Sequence, residues 1–180
     1  FEITLKALGE EHVSVGETYS SMGNVYQDLG EYNKALEYHG KALDIVRNAL
    51  GEEHASVGEA YNAMACVYKD LGEYEKALEY YQKDLEIARK ALGEENEGVG
   101  VAYSFVGDVY KDLGKYDKAL EYYQKDLAIT CKALGEAHES VGVTFNKIGH
   151  VYRELGQHDK TLEHCQRALE LFLKALGEAH

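Results

Sequence analysis

Residues 51–92 read GEEHASVGEAYNAMACVYKDLGEYEKALEYYQKDLEIARKAL, and residues 93–134 repeat this sequence with 28 of the 42 positions identical. The tetrapeptide ALGE marks the same period, starting at positions 7, 49, 91, 133 and 175 without insertion or deletion. A fixed period of about 20–50 residues is typical of a solenoid, in which each module buries its apolar face against its neighbours. The period therefore favours a binding surface over an active site.

The same period sets the expected organisation, a single solenoid over residues 1–180. The first eight residues match the end of a module, and residues 177–180 match the start of another. We therefore expect the chain to be a segment of a longer array. Between these ends we expect four modules, at 9–50, 51–92, 93–134 and 135–176.

Each module contains two stripes of apolar residues with helical spacing. In the first module one stripe occupies positions 15, 19, 22, 26 and 29, which share one face of a helix. Gly30 then ends this helix, because glycine takes the left-handed conformation without steric cost. A second stripe runs from Tyr32 to Leu50 and stops at Gly51. The pattern predicts an all-α fold built from antiparallel helix pairs, with helices of about 17–19 residues.

Small residues recur at two places in the first helix of each module. One series lies in mid-helix, where glycine costs up to about 1 kcal/mol relative to alanine. We expect this series to contact the second helix closely, opposite Ala35, Ala77 and Ala119. The other series lies near the helix start, where we expect the preceding module to pack. The two series are Gly23, Ala65, Gly107 and Gly149, and Gly16, Gly58, Gly100 and Gly142.

Composition and charge narrow the possible partners. The chain carries a formal charge of −13, whereas nucleic acids and anionic membrane surfaces attract basic proteins. No apolar segment is long enough to span a membrane. Three cysteines lie at different places in their modules, which does not form a disulfide framework. We expect a cytoplasmic protein that binds neither nucleic acid nor membrane.

The module sequence resembles the tetratricopeptide repeat (TPR) signature. The residues that carry the resemblance in the first module are Tyr19, Met22, Gly23, Tyr26, Ala35 and Ala42. The 42-residue length and the Leu-Gly-x-x-His segment at 50–54 resemble kinesin light chains and nephrocystin-like arrays, and segments 58–61 and 22–24 resemble Pins/LGN adaptors. The resemblance implies a right-handed α-solenoid, the TPR superhelix, that binds extended peptides on a concave face lined by first helices.

The sequence departs from that family in two respects. The residue after the histidine is never proline, and the histidine itself is replaced by Asn96 in the third module. Proline pre-organises a helix start, so we expect these starts to fray more easily. Asp84 and Asp126 also replace an alanine at a module interface. We expect each carboxylate to bond a hydroxyl or backbone N–H of the following first helix, or to reach solvent.

The first-helix residues that face away from the second helix are the candidate peptide-binding residues. They vary between modules, as expected of a ligand surface, although drift on a solvated face gives the same pattern. With Asp70 and Glu154 counted as part of this strip, its charge balance is −3 in the first two modules and +1 in the fourth, which would orient a peptide. The candidates are Glu17, Ser20, Asn24, Asp28, Glu59, Asn62, Cys66, Lys69, Ser104, Phe105, Asp108, Lys111, Asn146, Lys147, His150 and Arg153.

We considered catalytic and metal chemistry as well. His164 and Cys165 are adjacent, and neighbouring helical residues point about 100° apart, so they cannot easily share a metal. Cys66 has no histidine in a position to activate it, and is better interpreted as a packing residue. His39 occupies an otherwise aromatic core position. We therefore predict no enzyme activity, no metal and no cofactor.

Two functions remain from this reasoning. The leading hypothesis is a protein–protein interaction scaffold that binds an extended peptide or partner segment on its concave face. The alternative is a structural spacer that associates with itself and has no ligand of its own. Residues 1–8 and the apolar residues of the last helix, Leu169, Phe172, Leu173 and Leu176, would support end-to-end association through the terminal helices.

Overall fold

The predicted all-α architecture is confirmed. The computed structural model describes residues 12–178, except for the side chain of residue 178, and this range contains eight helices and no strand. The chain divides into two compact units, Phe1–Ala91 (unit 1) and Leu92–His180 (unit 2). In order, the helices are α1 Val13–Asp28, α2 Tyr32–Leu50, α3 Ala55–Asp70, α4 Tyr74–Leu92, α5 Glu97–Asp112, α6 Tyr116–Leu134, α7 Glu139–Glu154 and α8 His158–Glu178.

The first helix of every module ends at the predicted glycine. Gly30 has φ +74°, and its N–H donates to the carbonyl of Gln27 at 2.9 Å. The N–H of Glu31 reaches the carbonyl of Tyr26 at 2.8 Å. These two bonds form a Schellman motif, which satisfies carbonyls that the helix end leaves free. The same pair of bonds closes α3, α5 and α7.

The histidine before each first helix is an N-cap. His12, His54 and His138 each accept, through Nδ1, the backbone N–H two residues ahead at 3.2 Å. Asn96 does the same through Oδ1 at 2.8 Å. A side-chain acceptor at this position satisfies one of the free N–H groups of the first turn. These caps fix the helix starts that, lacking proline, we expected to fray.

Each unit has its own apolar core along the helix pairs. In unit 1, α2 packs against both α1 and α3. Its core contains Leu43, Val46, Val57, Ala60, Met64 and Ile87. In unit 2, α6 packs against α5 and α7, and α7 packs against α8. The core there includes Val99, Val106, Val109, Ala119, Tyr123, Val141, Ile148 and Val151.

Two of the mid-helix glycines lie against a large ring of the paired helix, and their approach to the expected alanines stays a prediction. A Cβ added at Gly23 would lie 2.6 Å from the His39 ring, and one at Gly107 would lie 2.7 Å from the Tyr123 ring. The ring four residues beyond the expected alanine fills this space. Gly23 and Gly107 therefore make room for a large buried side chain, whereas a Cβ added at Gly149 would lie 3.1 Å from the smaller Cys165.

The nearest neighbours of the glycines near the start of each first helix lie on the paired second helix, and the predicted contact with the preceding module lies, for Gly16, outside the described residues. A Cβ at Gly16 would meet Ile45 at 3.3 Å, and one at Gly142 would meet Phe172 at 3.1 Å. Both neighbours belong to the second helix of the same module. At these positions the two helices of one module therefore approach each other closely.

Candidate functional site

A groove of about 210 Å³ lies along the first helices of unit 1. Its floor is apolar, since Ala42, Val46 and Ala60 are each less than a tenth exposed. Its rim carries two exposed carboxylates, Glu17 on α1 and Glu59 on α3. We call it the unit-1 groove, and its lining is Val13, Gly16, Glu17, Ser20, Ser21, Ala42, Val46, Ser56, Glu59 and Ala60.

Unit 2 has a groove of about 220 Å³ in the equivalent place. Nine lining positions of the two grooves correspond, each displaced by 84 residues, which is two module lengths. The repeat therefore builds the same hollow twice from one backbone arrangement. We call this second hollow the unit-2 groove, and its lining is Glu97, Val101, Ser104, Phe105, Asp126, Thr130, Ser140, Val143, Thr144 and Lys147.

The two grooves differ in where their polar side chains lie. Unit 1 has a charged rim over an apolar floor, and unit 2 has an apolar rim over a polar floor. Where unit 1 has Glu17 and Glu59 on the rim, unit 2 has Val101 and Val143, which are 43% and 47% exposed. Where unit 1 has an apolar floor, unit 2 has polar groups, Asp126, Thr130 and Thr144. Two similar hollows thus present opposite chemistry to solvent.

Asp126 on the floor of the unit-2 groove is buried, and both of its carboxylate oxygens accept hydrogen bonds. Thr130 donates its hydroxyl to Oδ1 at 2.9 Å, and Thr144 donates to Oδ2 at 2.8 Å. Burial raises the pKa of Asp126, and the hydrogen bonds from Thr144 and Thr130 oppose that rise. Thr144 lies on α7, the following first helix, so the partner predicted for this carboxylate is confirmed.

Asp84 finds a different partner from the one we expected. Asn62 Nδ2, on the first helix of the same module, donates to Oδ2 of Asp84 at 3.1 Å. The carboxyl is half-buried, and its desolvation raises its pKa to about 6, with repulsion from Glu59 adding to the rise. Only one hydrogen bond from a neutral amide compensates for this burial, whereas Asp126 receives two from hydroxyls.

Lys147 joins the first helices α5 and α7 across the unit-2 groove. Its Nζ donates to Ser104 Oγ and to Asp108 Oδ2, both at 2.8 Å. Tyr123 on α6 donates its hydroxyl to Asp108 Oδ1 at 2.6 Å. Burial and the neighbouring carboxylate of Asp108 raise the pKa of Tyr123. Three helices are therefore tied together by one charged network.

In the second module, the positions 42 residues before Asp108 and Tyr123 hold Cys66 and Tyr81. Cys66 Sγ lies 3.1 Å from the hydroxyl of Tyr81 and 3.8 Å from Asn62 Oδ1. Burial raises the pKa of the Cys66 thiol, and the thiol is a poorer nucleophile than the thiolate. This environment agrees with a packing role for Cys66.

The repeat signature identifies the family to which these grooves belong. A family model described as tetratricopeptide repeat matches residues 14–90 and 60–132, and a second model with the same description matches 141–180. The chain belongs to the tetratricopeptide repeat family. No curated protein sequence matches this TPR chain significantly.

Several solved structures share the fold. BtubC (BKLC) from P. vanneervenii is 27% identical with a TM-score of 0.79, over 90% of this chain and 65% of BtubC. A putative kinesin light chain from Podosopora anserina is 23% identical with a TM-score of 0.77, over 97% of this chain and 82% of its own. The TPR chain thus spans about two thirds of BtubC. The likeness to kinesin light chains is confirmed, and the likeness to Pins/LGN adaptors stays a prediction.

The charges of the candidate peptide-binding residues differ from the charge gradient predicted along the first helices. In unit 2, Lys147 pairs with Asp108 at 2.8 Å, and Arg153 pairs with Glu154 at 3.2 Å. The expected balance of +1 in the fourth module already includes Glu154, and the remaining positive charge, that of Lys147, is neutralised by Asp108 of the third module. In unit 1, Asp70 accepts a hydrogen bond from Gln27 at 2.6 Å, but this bond does not offset its charge. The acidic part of the strip remains.

The structure brings only some of the sixteen predicted residues into the two grooves. Glu17, Ser20 and Glu59 line the first groove, and Ser104, Phe105 and Lys147 line the second. Ser104 is 6% exposed, so it supports Lys147 and is not an open contact surface. Lys111, His150 and Arg153 line a separate hollow in unit 2. Asn24, Asp28, Asn62, Cys66, Lys69, Asp108 and Asn146 line neither groove.

The second-helix residues of the groove floors were missing from the prediction. Ala42 and Val46, with Asp126 and Thr130 in unit 2, come from α2 and α6, whereas we searched only the first helices. The aspartate that replaces the interface alanine was the available signal. Over residues 12–178, no three His, Cys, Asp or Glu side chains are grouped to hold a metal ion. Among the described helices, none is long and apolar enough to cross a membrane.

Proposed function

We propose that this TPR chain is a protein–protein interaction scaffold that binds an extended peptide along its first-helix face. The observation that carries the proposal is the pair of equivalent grooves. Nine matching positions form the same hollow twice, while the side chains that face solvent differ in charge and polarity. A repeated frame with varied side chains gives several subsites for successive parts of one ligand.

The dimensions of the grooves support a peptide over a compact small molecule. Each hollow has a volume of about 210 to 220 Å³, which is below the range of about 300–1,000 Å³ typical of small-molecule sites. A hollow of this size suits a single side chain of a longer ligand. One TPR-like structure with 23% identity, a Rap protein, was solved in complex with Competence and Sporulation Factor.

The remaining candidate residues belong to the same proposal. Asn24, Asn62 and Asn146 each carry a donor and an acceptor that can pair with a peptide backbone. The amide of Asn62 already donates to Asp84, and Asn146 Oδ1 accepts a weak bond from the Cys165 thiol, so a peptide would have to compete for these groups. The three cysteines are free thiols, and free thiols together with the acidic composition support a cytoplasmic setting. We also propose that the four modules form one continuous solenoid, with the repeat boundaries given above.

The test compares reversal of groove charges with reversal of matched charges elsewhere. The groove variant is Glu17→Lys with Glu59→Lys, and the control is Glu52→Lys with Glu75→Lys, all four residues being exposed. Both variants change the net charge equally. Peptide-array mapping with the immobilised chain should show binding that the groove variant loses and the control retains. Equal behaviour of the two variants would refute a groove-based scaffold.

A second function, self-association, has one observation in its favour. Helix α8 exposes a stripe of leucines, since Leu162, Leu169, Leu173 and Leu176 are each between 56% and 62% exposed. Phe172, which we expected on this face, packs instead against Gly142. The other expected participant, residues 1–8, lies outside the described residues.

Light scattering of the wild type and of Leu169→Glu with Leu173→Glu tests this second function. If the stripe mediates association, the wild type should show a mass that rises with concentration, and the double variant should remain monomeric. A wild type that is monomeric at every concentration would eliminate self-association through this stripe.

A further inference from the structure

The unit-1 groove holds two carboxylates that the rest of the described chain leaves unneutralised. Among residues 12–178, neither Glu17 nor Glu59 makes an ion pair or a hydrogen bond through its carboxylate, whereas many of the exposed acidic residues on the second helices pair with lysine or arginine. Asp84 lies close enough for repulsion from Glu59 to act on its carboxyl. The groove is therefore a place of uncompensated negative charge.

The floor beneath these carboxylates is apolar and closed. Ala42 is 3% exposed, Val46 6% and Ala60 8%. Lysine and arginine side chains pack their methylene groups on such surfaces while the charged end stays near polar groups. An apolar floor with an acidic rim thus matches both parts of a long cationic side chain.

The unit-2 groove shows how this protein holds a cation at the equivalent place. There the ammonium group of Lys147 is bound by Ser104 Oγ and by Asp108 Oδ2, both at 2.8 Å. In unit 1 the residue equivalent to Ser104 is Ser20, and the residue equivalent to Lys147 is Ala63. Ser20 lines the unit-1 groove, and its hydroxyl has no hydrogen-bond partner within the described part of the chain. Unit 1 keeps the serine, has Asn24 in place of Asp108 and lacks the lysine. Its negative charge comes instead from Glu17 and Glu59 on the rim.

We propose that the unit-1 groove binds an arginine or lysine side chain from an extended partner peptide. The charged group lies between Glu17, Glu59 and the hydroxyl of Ser20, and the methylene groups cover Ala42, Val46 and Ala60. The inference rests on the proposed scaffold function and names the ligand chemistry of one of its grooves. In effect, the partner supplies the cation that Lys147 supplies internally in unit 2.

The test uses two labelled peptides that differ only in charge. One consists of three Ala-Arg-Leu-Ser repeats, and the other carries citrulline in place of each arginine, which keeps the shape and removes the charge. Fluorescence anisotropy at fixed ionic strength measures the affinity of the 180-residue chain for each. We expect the arginine peptide to bind about tenfold more tightly, the effect of two favourable but solvent-exposed charge contacts.

Three variants locate the effect. Glu17→Gln with Glu59→Gln should lose the tenfold preference and leave the affinity for the citrulline peptide unchanged. Ala63→Lys should weaken binding of the arginine peptide similarly, because the new lysine occupies the groove as Lys147 does in unit 2. The matched control, Glu52→Gln with Glu75→Gln, removes the same charge elsewhere and should retain the preference. Circular dichroism checks that every variant is folded.

Two results would overturn the inference. If the control lowers the affinity as much as the groove variant, the attraction comes from the overall charge of −13 and not from this groove. If the wild type binds the arginine peptide no more tightly than the citrulline peptide, or binds neither, no cationic subsite exists. The scaffold proposal is decided separately by the peptide array, since binding of uncharged peptides there would survive either result.

Discussion

His39 is the residue whose replacement tests our account of the core most directly. It is 1% exposed, and neither ring nitrogen has a hydrogen-bond partner within the described residues. The equivalent residues of the next two modules are Tyr81 and Tyr123, whose hydroxyls meet Cys66 at 3.1 Å and Asp108 at 2.6 Å. Module one therefore buries a polar ring without the bond that its neighbours make.

We predict that His39→Tyr stabilises the protein. The ring would lie against Gly23 as Tyr123 lies against Gly107, where no Cβ obstructs it. Its hydroxyl would reach the place of Asn24, the residue equivalent to Asp108. A buried polar group left unpaired costs about 1–3 kcal/mol. Because about 1 kcal/mol shifts the melting temperature of a chain this long by about 2–4 °C, the gain should be about 2–12 °C.

The effect should also depend on pH with a definite sign. Burial lowers the pKa of His39 in the folded state, so the unfolded chain binds the proton more readily. The wild type should therefore lose stability as the pH falls below about 6.5, the ordinary pKa of histidine. The tyrosine variant lacks this contribution, so the stability difference between the two proteins should widen between pH 7 and pH 5.

Urea unfolding followed by circular dichroism at these two pH values measures both effects. The matched control is Tyr81→His, which creates the unpaired ring in module two and should destabilise the protein. If His39→Tyr lowers the unfolding midpoint, or if the difference stays constant with pH, our account of this position is wrong.

Three further predictions concern single contacts. Replacing Asp126 with alanine should destabilise the protein by about 1–3 kcal/mol, because the buried hydroxyl of Thr130 loses its acceptor and that of Thr144 keeps only the carbonyl of Ser140 at 3.2 Å. Adding Thr130→Val should recover part of the loss in urea unfolding, and full additivity of the two changes would contradict the network. Replacing His54 with alanine should cost about 0.5–2 kcal/mol of unfolding free energy, while asparagine, as at Asn96, should be neutral; equal losses would show that the side-chain cap is unimportant. The pKa of Asp84 is about 6 in the fold and about 3.9 when unfolded, so its contribution is present below about pH 4 and is lost as the pH rises to 6. Asp84→Asn should therefore be more stable than the wild type at pH 7 by about 1–2 kcal/mol after allowance for its partial exposure, and a variant without this gain would show that the carboxyl is well solvated.

The helix pairs could be predicted from the sequence because the signals for them are local. The spacing of apolar residues and the glycine at position 30 involve only neighbours along the chain, and both were interpreted correctly. The packing of the His39 ring against Gly23 was not predicted, because the recurring small residues suggested a small partner. The residue that a glycine faces depends on how the two helices cross, which spacing alone does not specify.

The groove was predicted in part for the same reason. Helical geometry placed Glu17, Ser20 and Glu59 on one face, and the structure has them lining one groove. Their role in binding stays a prediction. The pairing of Lys147 with Asp108 joins residues 39 positions apart, so it depends on how neighbouring modules pack. Apolar spacing along one helix does not reveal this pairing, so Lys147 was expected to be an unpaired positive charge. The continuity of the four modules as one solenoid stays a prediction.

The Schellman turns at the four first-helix ends have a consequence for how such an array can change in evolution. Each turn is closed by bonds within about six residues, around a glycine that takes the left-handed conformation by itself. All the residues that specify a turn therefore belong to the module that contains it. Unequal crossing-over that adds or removes 42 codons leaves every remaining turn correctly specified. Length can then vary by whole modules, while individual grooves acquire their own side chains.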